Sequence, residues 1–117
     1  MRKIVFYKTI AENSPVEDFL DALSAKEAQK VIWVLQLAQE LSVVPTRYFK
    51  KLKNTDDIWE VRINSSSNSY RILGFFDGNN LIVLNHAFQK KTQKTAQKDI
   101  KIAEKRKKEY LTRGVDQ

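Results

Sequence analysis

Apolar positions along the chain change their period twice, and the changes divide it into elements. The opening "KIVFYK" is a short β-branched and aromatic run, which predicts a strand. In "ENSPVEDFLDALS" the spacing becomes helical, with Val16, Phe19, Leu20 and Leu23 on one face. Ser14 is placed to cap that helix, with Pro15 at its first position and Glu17 completing a capping box. Ser24 and Glu27 repeat the box at once and open a second helix to about Leu41, whose expected buried stripe is Ala28, Val31, Ile32, Leu35 and Ala38. Pro45 closes the helical part.

Beyond it the period becomes two. "FKKLKNTDD" reads as a basic approach ending in a turn. In "IWEVRI", Trp59, Val61 and Ile63 share one face while Glu60 and Arg62 share the other. "NSSSNS" is a polar hairpin loop, "YRILGFF" a strand, "DGNN" a turn and "LIVLNHAF" a last strand, together an antiparallel meander. The final segment has helical spacing only at Ala96, Ile100, Ala103 and Tyr110, with Gly114 as its expected stop. The predicted fold class is α+β, in the order β-α-α-β-β-β-α. A helical hairpin lies on one face of a small antiparallel or mixed sheet, and the other face stays partly open. A chain of 117 residues has the size of one domain, taken as 1–117 with 112–117 as a frayed tail.

Composition narrows the function. The absence of cysteine excludes disulfides and thiolate metal sites, and a single histidine, His86, argues against zinc. No metal or cofactor is expected. No apolar run approaches the roughly 20 residues that span a bilayer, and "IVFY" is too short for a signal-peptide core. A cytoplasmic protein with no membrane partner is therefore expected. The net charge of +7 is uneven: residues 1–85 carry 11 Lys and Arg against 10 Asp and Glu, and residues 86–117 carry 10 against 4. Such asymmetry points to a polyanionic partner, against the simpler assignment of a solvated lysine-rich helix.

Two arginines stand inside apolar strands, Arg62 in "WEVR" and Arg71 in "YRILGFF". Guanidinium binds phosphate through two parallel hydrogen bonds and stays charged at working pH. The competing assignment for each is an ion pair with Glu60, Asp56 or Asp57. The strand of Arg71 contains no acid before Asp77, so a partly unpaired cation is expected there. His86 is able to move a proton near neutrality, or else is a hydrogen-bonded sheet residue. Whether the three share a face depends on register, which the loop does not fix. Lys50, Lys51 and Lys53 before one strand, and Lys90, Lys91 and Lys94 after another, are candidate phosphate contacts. Tyr70, Phe75, Phe76 and Phe88 read mainly as core, with one of them available to stack on a base.

The run "WEVRINSSSNSYRILGFFDGNNLIVLNHAFQKKTQKT" resembles the HigB-type, phage-related branch of the RelE superfamily of bacterial toxins. The shared pattern is Trp59 to Arg62, Tyr70 to Ile72, Phe75 with Phe76, and Phe88 to Thr95, and the similarity covers about residues 48–110. The resemblance implies a ribosome-dependent messenger-RNA endonuclease, needing no metal, in which a ribose 2′-hydroxyl attacks the adjacent phosphate. It implies Arg71 as the phosphate-binding arginine, with Arg62, His86 and Lys90 as further catalytic candidates. Lys51, Lys53, Lys91, Lys94 and Phe88 are the implied RNA contacts. Tyr110 is a candidate for the C-terminal tyrosine of some relatives, although the helix carrying it is longer here. The implied partners are the ribosome, its message and a cognate helix-turn-helix antitoxin, with operator DNA reached only through the antitoxin. Two other functions stand beside it: a non-catalytic nucleic-acid-binding module, for which the basic tail suffices, and a degenerate toxin-like interaction protein.

Overall fold

The structure, a computed structural model, describes residues 1–92 and 94–115. Its elements are β1 (Lys3–Phe6), α1 (Pro15–Asp21), α2 (Ala25–Glu40), β2 (Phe49–Lys51), β3 (Trp59–Ser65), β4 (Asn68–Asp77), β5 (Leu81–Gln89) and α3 (Gln97–Val115). The fold is α+β, with a five-stranded mixed sheet in the order β1-β5-β4-β3-β2. β2 to β5 pair antiparallel, and β1 joins β5 in parallel.

The two faces of the sheet are filled differently. Val61 and Ile63 of β3, Tyr70 and Ile72 of β4, and Ile82 and Leu84 of β5 meet Val16 of α1 and Val31, Val34 and Leu35 of α2. On the opposite face, α3 packs on β4 and β5. Ala103 joins Ile58 and Leu73, and Tyr110 joins Tyr7, Phe75 and Val83. The half of that face formed by β2 and β3 has Lys50, Glu60 and Arg62 on it.

Several sequence expectations need correction. β2 is an added edge strand within the segment read as a basic approach. The six-residue loop shrinks to Ser66 and Ser67, because β3 and β4 pair out to Ser65 and Asn68. Ser66 has φ 51°, the left-handed conformation such a tight turn requires. The first capping box does not form: Ser14 is the N-cap of α1, but its hydroxyl is buried without a hydrogen-bond partner. The second does form, with Ser24 Oγ accepting from the Glu27 N–H at 3.2 Å. In α2 the buried stripe includes Val34, whereas Ile32 is 51% exposed. In α3 the buried stripe is completed by Lys107, which fills the gap between Ala103 and Tyr110. It donates to the Asp56 carbonyl at 2.6 Å. The helix also continues through Gly114 to Val115, so Gly114 is not its stop. The last two positions of the tail expected to fray lie outside the described residues.

One irregularity sets the geometry of the candidate site. Leu73 pairs with His86 but Gly74 pairs with Leu84, so Asn85 is the extra residue of a β-bulge. The bulge turns both Asn85 and His86 towards α3. Asn85 Nδ2 donates to the Ala103 carbonyl at 3.0 Å, and its own carbonyl accepts from Arg106 at 2.7 Å.

Candidate active site

Register brings the two strand arginines together. Arg62 and Arg71 are direct cross-strand partners, and Arg71 is in turn opposite Phe88. Like charges directly opposite one another destabilise a sheet. Glu60, two residues before Arg62 and so on the same face, lies between them. Its Oε1 is 3.6 Å from Arg62 Nε and 3.7 Å from Arg71 Nε. The competing assignment, an ion pair with Glu60, is therefore present: the neighbouring strand supplies the acid that the strand of Arg71 lacks, shared between two cations.

That sharing leaves hydrogen bonds unmade. Arg71 is 4% exposed, and its Nη1 donates to the Tyr70 carbonyl at 2.9 Å. The Nε atoms of both Arg71 and Arg62 are buried without a hydrogen-bond partner. Buried charged donors left unsatisfied cost more than neutral ones, so an incoming oxyanion gains by meeting them. Glu60 is itself anchored by the Thr95 hydroxyl, which donates to its other oxygen.

Arg62 and Lys90 line two adjoining cavities, and Arg71 lines the first of them. One, of about 420 Å³, is lined by Arg62, Ser69, Arg71, Lys90, Lys91 and Thr92. The other, of about 410 Å³, adds Lys50, Lys53, Glu60, Lys94 and Thr95. Lys90 is held at their junction because its backbone N–H donates to the Ser69 carbonyl at 2.7 Å. Burial lowers the Arg71 pKa, an effect opposed by Glu60. The Lys90 pKa is also lowered, by burial first and then by Arg71. Lys90 therefore gives up its proton more readily than an ordinary lysine.

The remaining candidates divide. Lys53, Lys91 and Lys94 line these cavities with Lys90. Lys51 does not: it pairs with Trp59 in register, on the other face of β2, and makes an ion pair with Asp57 at 2.8 Å. Lys50, the partner of Glu60, takes its place. Phe88 lines a neighbouring hollow with Lys90, Lys91 and Lys94. His86 shares the arginine face but turns to α3, where Nε2 meets Asp99 Oδ1 at 2.8 Å and the ring stacks on Phe88 at 5.3 Å. Burial lowers its pKa, partly offset by Asp99. Tyr110 donates to Asp77 Oδ2 at 3.0 Å and packs on Phe75, near Tyr7 and Val83. Among the described residues, no group of three His, Asp or Glu side chains is placed to hold a metal ion.

Sequence reasoning offered Lys50 only as one of a cluster of phosphate contacts and Glu60 only as one possible ion-pair partner, and it did not assign Thr95 to the site. The parity of β3 does place Glu60 beside Arg62, and Lys50 follows once β2 is seen to pair with it. Thr95 carries no such signal, since it arrives from a loop.

The family model described as "Phage derived protein Gp49-like (DUF891)" matches residues 18–108, a span that contains both arginines, Glu60 and the cavity lysines. A search of curated proteins gives no match to the chain.

Proposed function

Because this chain belongs to the Gp49-like phage-derived family, which is associated with the toxins of toxin–antitoxin systems, we propose that it is a HigB-type toxin of the RelE superfamily that cleaves messenger RNA on the ribosome. The observation that carries this reading is the pair of buried guanidinium Nε atoms, unbonded and beside a cavity whose wall adds Lys90 and Lys91. The scissile phosphate enters there and takes up the free N–H donors of Arg62 and Arg71. As charge builds on the non-bridging oxygens, the fixed guanidinium groups and Lys90 stabilise it without reorganising.

The 2′-oxygen attacks phosphorus, and the bond from phosphorus to the 5′-oxygen breaks. The products are a 2′,3′-cyclic phosphate and a free 5′-hydroxyl. Glu60, released from the arginines by the competing phosphate, is the nearest carboxylate to accept the 2′-hydroxyl proton. Lys90, with its loosened proton, supplies one to the leaving 5′-oxygen. A carboxylate among cations is a weak base, so the chemistry depends on alignment of the nucleophile, which the ribosome provides by holding the message. The cognate partner is an acidic helix-turn-helix antitoxin, through which alone operator DNA is reached. The exposed lysines Lys98, Lys101, Lys105 and Lys108 form a stripe along α3 suited to such a partner.

Burial of His86 against Asp99 removes the imidazole from the cavities, and this favours a second reading, a non-catalytic RNA-binding module. Single-turnover assays separate the two. Cleavage of ribosome-bound message, with naked RNA left intact, is the result expected of the toxin. Binding without cleavage in both settings overturns it.

A further inference from the structure

Arg62 also lines a third cavity, on the other side from Arg71. It measures about 410 Å³ and is walled by Lys30, Val34, Arg47, Tyr48 and Asn64. Tyr48 is the aromatic ring in its wall, and Trp33 contacts that ring. Trp33 of α2 is 43% exposed and meets Tyr48 edge-on at 5.5 Å. Lys30 lies over the Trp33 ring at 4.7 Å, and Arg47 lies over the Tyr48 ring at 4.9 Å. Among the described residues neither Lys30 nor Arg47 forms an ion pair. Tyr48 is also tied to the active site by a main-chain bond, its carbonyl accepting from the Arg62 N–H at 2.8 Å.

We propose that this pocket is a nucleotide subsite, which takes the base next to the scissile phosphate in single-stranded RNA. The Arg47 guanidinium over the Tyr48 ring offers a flat, positively charged platform, and unpaired bases stack on both tyrosine and arginine planes. Lys30 meets the next phosphate along the strand. An acidic protein segment suits the charge, whereas a nucleotide uses the charge for its phosphate and the stacked guanidinium–tyrosine face for its base. Arg62 belongs to both cavities, so the strand passes from one to the other without leaving protein. This inference rests on the arginine cluster being the phosphate site, but it concerns binding and not bond cleavage.

The test uses the full chain and short RNA oligonucleotides carrying a 2′-deoxy residue at the cut, which blocks the reaction. Their length is extended by one nucleotide at a time on either side of a single phosphate, and binding is followed by anisotropy at low salt. In the wild-type protein one extension is expected to raise affinity about tenfold, the scale of one stacked base. Arg47→Ala and Tyr48→Leu should each lose that increment while leaving affinity for the shortest oligonucleotide unchanged. Arg47 is exposed, so its variant decides the matter even if Tyr48→Leu fails to fold. The absence of any increment in the wild type, or its persistence in Arg47→Ala, overturns the subsite. So does a variant that loses only its binding to an acidic protein partner. Failure of the toxin reading looks different: the increment is present and Arg47-dependent, yet ribosome-bound message is not cut.

Discussion

Arg62 and Arg71 face each other across a strand pair where like charges are costly, and Glu60 offsets that cost without making a hydrogen bond to either Nε. Replacing Glu60 by Gln keeps the shape and the Thr95 contact but leaves two guanidinium groups uncompensated. The expected destabilisation is about 1–3 kcal/mol, below the usual loss for a fully buried pair because Arg62 reaches solvent. Thermal unfolding checks this, and inorganic phosphate should restore more stability to Glu60→Gln than it adds to the wild type. Lys90 gives a pH prediction. Its pKa is lowered, so its ammonium form is lost at a lower pH than that of an ordinary lysine. Cleavage should decline along that alkaline limb. In Lys90→Arg, measured across the same range, the limb should vanish. At this scale the sequence made the arginines visible as charges in apolar runs. It offered Glu60 as one of three possible partners but did not select it, because a diagonal contact between strands exists only once register is known.

Elements with strong periodicity were legible throughout. The Ser24 box, the helical hairpin and the three long strands follow from spacing alone. β2 escaped because three residues, "FKK", contain a single apolar position and so no alternation. The parallel docking of β1 on β5 depends on a long-range choice that no local pattern records. The bulge at Asn85 escaped for the same reason, although Gly74 is its trace in the sequence. A Cβ on Gly74 falls 2.2 Å from the Val83 carbonyl oxygen, a main-chain atom that cannot move aside alone. Gly74→Ala should therefore cost about 3 kcal/mol or more, at the upper end for overpacking, as read by denaturant unfolding. A change below about 1 kcal/mol would show the β4–β5 pairing to be more adaptable than this geometry allows. The start of α2 is bound to the β3–β4 hairpin through Glu27, which accepts from the Tyr70 hydroxyl and from Asn68 at 3.1 Å. The Tyr70 bond foremost holds the Glu27 pKa below its usual value. Its contribution is thus complete above the unfolded value, about 4.3, and is lost as pH falls through the lowered folded one. Acid titration of stability should show this loss, and Glu27→Gln should flatten the curve in that window.

Across the whole molecule the excess charge has two different fates. Lys107 is buried, Arg106 binds the Asn85 carbonyl and Arg113 pairs with Glu109, so part of the basic helix is structural. Lys98, Lys101, Lys105 and Lys108 remain exposed on its outer side. Steering by such a stripe is screened by salt. Association with an acidic antitoxin should therefore slow several-fold between about 50 and 300 mM salt. The double variant Lys101→Glu, Lys105→Glu should be slow at low salt with little change in Tm. Among the described residues, no helix is long and apolar enough to cross a membrane. The fold, the basic end and the arginine strands could all be argued from the sequence, whereas the shared carboxylate and the cavities on either side of Arg62 needed the sheet assembled. The central claim is that Arg71 is there to hold a phosphate and not to hold the sheet. Single-turnover cleavage of ribosome-bound message by Arg71→Ala, beside thermal unfolding of the same sample, tests it most directly. The account predicts a rate lower by about 10² to 10³, the scale of one lost transition-state donor, with Tm nearly unchanged and only partial recovery in Arg71→Lys. A folded Arg71→Ala protein that cuts at the wild-type rate, or one that loses several kcal/mol of stability while still cutting, would contradict it.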